Sequence, residues 1–205
     1  MYHVKEIYYT LQGEGANTGR PAVFLRFSGC NLWTGREEDR STAICQFCDT
    51  DFVGGTKSAN ADVLADEVAG QWFGNGTSKR FVVITGGEPL LQLDPPLIDR
   101  LHALGFEIAI ETNGTLQAPA GLDWICVSPK AGTVIKQRSG NELKLVYPQQ
   151  GLTPPELERL DFAHFFLQPM DGPDIEQNTE LAARYCLEHP RWRLSLQTHK
   201  LLGMR

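Results

Sequence analysis

Apolar and polar positions alternate along the chain in a way that predicts strands separated by helices. The strand-like segments are short apolar runs at 3–9, 22–27, 81–84, 106–110, 122–127, 143–147, 165–167 and 192–196. The continuous run at 81–84 is typical of a parallel strand buried on both faces. Helical spacing of apolar residues marks 61–73, 95–104 and 175–188, so we expect three long helices that cover the sheet.

Polar motifs follow several of the predicted strands at the point where each one ends. They are Thr-Gly-Gly-Glu-Pro at 85–89, Glu-Thr-Asn-Gly at 111–114, Ser-Pro-Lys at 128–130 and Gln-Pro-Met-Asp at 168–171. Taken singly, each could be turn chemistry. Because ligands bind at the carboxyl ends of strands in α/β sheets and barrels, the motifs together predict one shared mouth.

The length of the chain limits how complete such a barrel can be. The chain has 205 residues, against the ~250 typical of a complete eight-fold barrel. We therefore expect an α/β fold of the open, partial (βα) barrel type, with about six core strands and three long helices. We also expect a single domain over 1–205, with an elaborated loop at 31–44.

Three cysteines form the most informative motif. Cys30, Cys45 and Cys48 have C-x14-C-x2-C spacing, in which the excursion at 31–44 lets the chain return to the same centre. A structural zinc site normally has four protein ligands, whereas three thiolates can hold a 4Fe-4S cluster with one iron open to a substrate or cofactor. The spacing therefore favours the cluster.

A zinc site is the alternative, with a histidine or another cysteine as fourth ligand. The candidates are His3, His102, His164, His189, His199, Cys126 and Cys186. Cys126 lies in an apolar run and Cys186 at helical spacing, so both are predicted to be small core residues. A disulfide framework is disfavoured, because the five cysteines are an odd number and we expect no signal peptide before the first.

Two other charged groups stand in apolar surroundings. Arg26 is the one charge in the predicted strand 22–27, and a buried arginine needs an anion, either in an internal salt bridge or in a substrate carboxylate. At 85–89, the glycines allow close approach to a ligand, and Glu88 could accept hydrogen bonds from an ammonium group. The charged stretch at 36–40 is expected to be a solvated loop without chemistry.

Composition and charge narrow the choice of partners. The chain is 41% hydrophobic and 21% charged, which is ordinary for a globular protein. A net charge of -6, with no basic run longer than two residues, argues against nucleic acid. No apolar run approaches the ~20 residues that span a bilayer, so we expect no membrane association. An oxygen-sensitive cluster would favour the reducing cytoplasm.

The motifs resemble those of radical S-adenosylmethionine enzymes, and most closely those of the 7-carboxy-7-deazaguanine synthase family. Besides the cysteine spacing and Gly-Gly-Glu-Pro at 86–89, four stretches carry the resemblance, at 11–15, 27–33, 48–52 and 168–171. It extends over nearly the whole chain. It implies conversion of 6-carboxy-5,6,7,8-tetrahydropterin to 7-carboxy-7-deazaguanine with loss of ammonia, a step of queuosine biosynthesis.

The resemblance also implies roles for individual residues. Cys30, Cys45 and Cys48 would bind three irons of a 4Fe-4S cluster, and Thr50 would help to hold Mg²⁺ against the substrate carboxylate. S-adenosylmethionine would be bound by Phe47, Asp49, Gly87, Ser128, Pro129, Lys130, Gln168, Pro169, Met170 and Asp171. The pterin would be bound by Leu11, Gln12, Gly13, Glu14, Arg26, Thr85 and His199. For His199, a surface histidine is an equal alternative.

Partners and rival classes follow from the same comparison. By analogy the electron donor is a flavodoxin, and the open side of the barrel would suit a homodimer. The family's chain end approaches the substrate, and the sequence leaves open whether Arg205 is that end. Two rivals stay open: a glycyl-radical activase or similar radical S-adenosylmethionine enzyme, which needs a protein partner, and a zinc-binding interaction module. Gln12, Glu14 and Arg26 favour a small carboxylated heterocycle.

Overall fold

Nine strands and five α-helices make up the regular structure of the computed structural model, which describes residues 1–75 and 79–204; Arg205 lies outside them. The strands are β1 (Tyr2–Leu11), β2 (Pro21–Phe27), β3 (Thr56–Ser58), β4 (Arg80–Gly86), β5 (Phe106–Thr112), β6 (Trp124–Val127), β7 (Ser139–Tyr147), β8 (Asp161–Pro169) and β9 (Trp192–Leu194). The helices are α1 (Ala61–Gly70), α2 (Pro95–Ala103), α3 (Pro154–Leu157), α4 (Ile175–Glu188) and α5 (Thr198–Leu201).

All nine strands belong to one sheet with the order β3-β1-β2-β4-β5-β6-β7-β8-β9. The first two pairings, β3 with β1 and β1 with β2, are antiparallel, and every pairing from β2 to β9 is parallel. The predicted core strands correspond to β2 and β4 to β8, and the three long helices to α1, α2 and α4. The predicted open α/β architecture is confirmed.

Strand alternation gives the sheet an outer and an inner face. On β4, Val82 and Ile84 pack in the outer core with residues of α1 and α2, such as Leu64 and Leu97. A second outer core lies under α4, around Phe165 and its neighbours. Because the helices cover this one face, the other face is left to form the inside of the partial barrel.

The inner face changes from apolar to charged along the strands. Phe81, Val83 and Ala109 form a small apolar cluster on it. Two residues beyond Ala109, toward the carboxyl end of β5, the same face carries Glu111. On β7 it carries Glu142 and then Lys144, which are both buried. The carboxyl half of the barrel interior is therefore polar, and this is where the cavity lies.

Element boundaries differ from the predicted ones in a few places. The helix predicted over 61–73 ends at Gly70, although Trp72 still packs edge-on against Phe106. The last strand ends at Leu194, and Glu111 lies within β5 rather than beyond it. The short elements β3, α3 and α5 were not predicted. Within the described residues, no helix is long and apolar enough to cross a bilayer.

Candidate active site

A cavity of about 480 Å³ opens at the carboxyl ends of the parallel strands. Most residues predicted to bind metal, cofactor or substrate line it: Leu11, Gln12, Glu14, Arg26, Cys30, Cys45, Phe47, Cys48, Asp49, Thr50, Thr85, Gly87, Ser128, Lys130, Gln168, Pro169, Asp171 and His199. Gly13, Pro129 and Met170 are not among the lining residues, so the fold places these three behind the wall. The sheet thus gathers motifs that are far apart in the sequence.

The three predicted cluster cysteines meet on one side of this cavity. The thiols of Cys45 and Cys48 hydrogen-bond to each other, and this bond, with the nearby ammonium of Lys130, lowers the pKa of Cys48 to about 6. The same bond and burial raise the pKa of Cys45. Burial also raises the pKa of Cys30, whose thiol accepts a hydrogen bond from the Leu32 amide at 3.4 Å. All five cysteines of the chain are free.

The three predicted cluster cysteines do not form a closed site for a single ion in this structure. In the described part of the chain, one group of three His, Cys, Asp or Glu residues has its ligand atoms mutually within 4.8 Å, and it is not Cys30, Cys45 and Cys48. Ligands of one tetrahedral zinc, with Zn–S bonds of ~2.3 Å, lie only ~3.8 Å apart. The three thiols are thus not gathered as ligands of one ion in this structure, although Cys45 and Cys48 are in hydrogen-bond contact, and the preference for a cluster rests on the number of thiols.

Gly86 and Gly87 pack against the loop that carries Cys30. A Cβ on Gly86 would lie 2.3 Å from the Phe27 carbonyl oxygen, and a Cβ on Gly87 would lie 2.3 Å from that of Gly29. The Glu88 amide donates to the Gly29 oxygen at 3.0 Å. The glycines were predicted to admit a ligand, and the structure shows that they also admit the backbone of the cysteine loop.

Glu88, which was expected to accept hydrogen bonds from a ligand, accepts them from the protein. Its side chain is fully buried, and its carboxylate accepts hydrogen bonds from Thr112 Oγ1 at 2.7 Å and from the amides of Asn113 and Leu90 at 2.8 and 3.0 Å. It is not among the residues that line the cavity. Three protein donors already hold the carboxylate, and the expectation that Glu88 also receives an ammonium group stays a prediction.

The excursion between Cys30 and Cys45 is more than a solvated loop. It contains a short 3-10 helix, Glu37–Thr42, with exposed carboxylates, as predicted. However, the Arg40 guanidinium donates to the carbonyl oxygens of Gln46 and Cys48 at 2.9 and 3.1 Å and lies 4.1 Å from the centre of the Trp33 ring. The prediction fails at Arg40, which ties the excursion to the Cys45–Cys48 turn.

Arg26 has an internal partner. Its Nε donates to Glu6 Oε1 at 2.9 Å, and its Nη2 donates to the Tyr8 hydroxyl at the same distance. Glu6 lies directly opposite Arg26 in the β1–β2 pairing. The salt-bridge alternative is thus present in the structure. All three side chains line the cavity, so contact with a substrate carboxylate stays a prediction.

We call a group of buried and half-buried charges the polar floor: Glu14, Glu111 and Lys144, which line the cavity, and Glu142, which is buried beside them. The Lys144 ammonium donates to Glu14 at 2.5 Å and to Glu111 at 2.9 Å. Burial alone would raise the pKa of Glu14, but Lys144 and Gln197 outweigh it and hold that pKa below its usual value. For Glu111 burial wins and raises the pKa.

Cys126 faces this polar floor. It is buried as predicted, but its thiol hydrogen-bonds to Glu111. Glu111, Cys126 and Glu142 are the group whose ligand atoms lie within 4.8 Å of one another. Lys144 already supplies a cation to Glu111, and Glu142 accepts from the Ala16 amide at 2.9 Å. The surroundings of Cys126 are therefore polar, which its apolar sequence neighbours did not indicate.

Two residues of the polar floor were not predicted in their roles: Glu111 was expected at the mouth only as part of the 111–114 motif, and Lys144 only as part of a strand. Their motifs read as a turn and as an alternating strand, and lysine in such a strand usually faces water. The available signal was the strand alternation that puts Glu142 and Lys144 on one face.

Thr50 lies on the cavity wall between two aspartates that have cationic partners. Asp51 pairs with Lys5 at 2.7 Å, and Asp49 pairs with Lys200 at 2.7 Å. Lys200 and Gln197 hold the pKa of Asp49 below its usual value against the opposing effect of burial. These pairings make the aspartates poor candidates for a metal site and leave Thr50 as the predicted ligand.

His199 lies on the cavity wall and is half-buried, which lowers its pKa. A Cβ on Gly13 would lie 2.1 Å from His199 Nδ1, so Gly13 lets the histidine approach the 11–15 motif. The Gly13 oxygen accepts two hydrogen bonds from Thr198, from its amide and its hydroxyl, both at 3.0 Å. The histidine is thus not a free surface residue, and its contact with substrate stays a prediction.

An open α/β sheet that gathers three unpaired thiols and a Gly-Gly motif at its carboxyl edge defines an enzyme of the radical S-adenosylmethionine class. No family model matches the chain. It is 62% identical to a 7-carboxy-7-deazaguanine synthase of Caulobacter vibrioides and 60% identical to one of Burkholderia multivorans, with 99% of both chains covered in each case. It also resembles the crystal structure of QueE from Escherichia coli, with 30% identity, a TM-score of 0.69, and 95% of this chain and 93% of that one covered. The chain belongs to the 7-carboxy-7-deazaguanine synthase family.

Proposed function

We propose that the protein converts 6-carboxy-5,6,7,8-tetrahydropterin to 7-carboxy-7-deazaguanine, with loss of ammonia. The observation that carries the proposal is the meeting of Cys30, Cys45 and Cys48 with the buried polar floor in one cavity. Thiols suit a 4Fe-4S cluster, and buried carboxylates with a lysine suit a small heterocycle rich in N–H and C=O groups. The names of the relatives support the same reaction.

The cofactor set is part of the proposal. The 4Fe-4S cluster and S-adenosylmethionine, when bound, supply a 5'-deoxyadenosyl radical, and the cofactor is regenerated. Cys30, Cys45 and Cys48 would hold the cluster. The other predicted cofactor residues would orient S-adenosylmethionine from the strand ends, with Lys130 donating within its own motif to Ser128 Oγ at 2.8 Å. The protein's part is to orient the reactants and to exclude water from the radical.

Other residues of the cavity would bind the substrate and the metal. Gln12 would donate and accept hydrogen bonds with the pterin, and Glu14, which Lys144 keeps ionised, would accept them. The Arg26 guanidinium would bind the substrate carboxylate while it keeps its ion pair with Glu6. Mg²⁺ would bind through Thr50, the substrate carboxylate and water, because Mg²⁺ prefers a few oxygen ligands and retained waters to an all-protein cage.

Partners and organisation complete the proposal. One sheet carries all the parallel strands whose carboxyl ends frame the cavity, which supports a single domain. A flavodoxin as electron donor and a homodimer stay predictions. The glycyl-radical activase alternative requires a cavity that admits a protein strand, and the buried charges of the polar floor favour a small polar substrate instead. A zinc module is disfavoured because three thiols leave a four-ligand zinc site incomplete.

Anaerobic reconstitution of the cluster tests the proposal. Cys45→Ala should abolish both the brown cluster and cleavage of S-adenosylmethionine, because two thiolates do not hold a stable cluster with one open iron. Absorbance with iron and sulfide analysis measures this. Cys186→Ala is the matched control, since Cys186 is a half-buried thiol on α4, and it should keep both. Full colour and turnover in Cys45→Ala would sink the assignment.

A further inference from the structure

One short segment touches three walls of the cavity. We call residues 195–200 the strap. Its Ser195 hydroxyl accepts from the Gly15 amide at 2.9 Å, and Thr198 donates twice to the Gly13 oxygen. Farther along, Lys200 pairs with Asp49 at 2.7 Å and with Asp171 at 2.5 Å. The strap therefore joins the predicted substrate loop, the turn after Cys48 and the end of β8.

Gln197 makes the most direct of these links. Its Nε2 donates to Glu14 Oε1 at 3.0 Å and to Asp49 Oδ2 at 3.1 Å. Both partners are carboxylates, which only accept, so the amide nitrogen must be the atom that faces them. One planar amide thus holds a residue predicted to bind the pterin and a residue predicted to bind S-adenosylmethionine.

Each of these carboxylates has a cationic partner that remains when Gln197 is removed. Glu14 retains Lys144, and Asp49 retains Lys200. Gln197 is consequently dispensable for neutralising either charge. Among the contacts of the described residues, Gln197 is the one that donates to both carboxylates from a single group. A shift of one carboxylate would therefore displace the Gln197 amide and, through it, the other carboxylate.

We propose that Gln197 is a positioning residue that couples binding of the pterin to binding of S-adenosylmethionine. The inference rests on the proposed function, because it takes Glu14 and Asp49 as groups that contact the two ligands. A pterin that fixes Glu14 would fix Asp49 through the Gln197 amide. By linkage, S-adenosylmethionine must then strengthen pterin binding by the same factor.

Calorimetry on the reconstituted enzyme tests this without turnover, because no reductant is present. Pterin affinity is measured with and without saturating S-adenosylmethionine. We expect each ligand to strengthen the other about 10-fold in the wild type, within the usual range of coupling. Gln197→Met keeps the side-chain length and removes both donors, so it should reduce the coupling to about 2-fold or less.

Thr198→Ala is the matched control. It removes one strap hydrogen bond to the substrate loop but leaves the Thr198 amide and the Gln197 bridge, so coupling should stay near the wild-type value. Should Gln197→Met prove unstable in a melting experiment, Gln197→Asn, which is one methylene shorter, replaces it with the same expected loss.

The outcomes separate the two proposals. Wild-type coupling in the Gln197 variant, or equal loss in Thr198→Ala, would overturn the role of Gln197. A wild-type enzyme that binds both ligands without coupling would overturn it too and would leave the proposed function standing. An enzyme with an intact cluster that binds neither ligand would contradict the proposed function itself.

Discussion

The two sides of the cavity are built in different ways. On the cluster side, the cysteines flank the excursion at 31–44, whose regular structure is one short 3-10 helix. Side chains such as Arg40 hydrogen-bond to the backbone of the Cys45–Cys48 turn. On the opposite side, Glu111 and Lys144 stand on adjacent parts of the same sheet, where strand register places them. The cluster side was predictable from the cysteine spacing, because its metal ligands lie close together in the sequence. The opposite side depends on pairings between distant strands.

Register explains why the polar floor was not predicted as a unit, although Glu14 was assigned to the substrate. Glu111 pairs with Cys126, and Cys126 pairs with Glu142, so two carboxylates and a thiol become neighbours across β5, β6 and β7. Nothing in the local sequence of any one strand contains this information. The cysteines, by contrast, lie within 19 consecutive residues, and the strands and long helices follow from periodicity.

The sharpest test of this comparison is Lys144→Met. Removing the cation leaves Glu14 and Glu111 buried without it, and breaking a buried pair in this way costs about 3–5 kcal/mol. Denaturant unfolding should show the loss. Lys57→Met, at an exposed lysine on β3, should leave stability nearly unchanged. A Lys144 variant as stable as wild type would mean that the polar floor is not held by its charges.

The same variant should have a distinctive pH dependence. Without Lys144, burial raises the pKa of Glu14 and Glu111 in the folded protein above the unfolded value. Groups with a raised folded pKa destabilise when ionised, and this cost disappears as the pH falls and they take up protons. The stability gap between wild type and Lys144→Met should therefore narrow from about pH 8 to about pH 5. A constant gap would point to lost packing instead.

Arg26 tests whether a charged side chain that strand register places beside its ion-pair partner also binds the substrate. Arg26→Lys keeps the charge but loses the planar fork, so substrate affinity should fall by about 1–3 kcal/mol if the contact is bidentate. Steady-state KM measures this. Arg20→Lys is the control, because Arg20 forks onto Glu107 at 3.0 and 2.9 Å and does not line the cavity. Lost stability with unchanged KM would leave Arg26 as a salt bridge only.

Arg40 tests the cluster side. Arg40→Ala removes the two hydrogen bonds to the Cys45–Cys48 turn, and since the arginine is partly exposed we expect a loss of only about 1 kcal/mol in global stability. The cluster should nevertheless be lost faster in air, as followed by absorbance. Arg36→Ala, at an exposed arginine with a weak partner at 3.7 Å, should not change that rate. Equal decay in both variants would contradict the role of Arg40.

The smallest effect is expected at Thr50, where one hydroxyl would contribute to a metal site completed by the substrate. Turnover should depend on Mg²⁺, and the metal should bind well only when the pterin is present, because a single protein oxygen does not make a cage. Thr50→Ala should weaken the Mg²⁺ dependence several-fold, by roughly 1 kcal/mol. Asp51→Asn breaks the pair with Lys5 and should change stability slightly but not the metal response. If Asp51→Asn impairs Mg²⁺ activation more than Thr50→Ala does, the metal is held by the aspartate, and equal turnover in EDTA and in Mg²⁺ would remove the metal from the reaction.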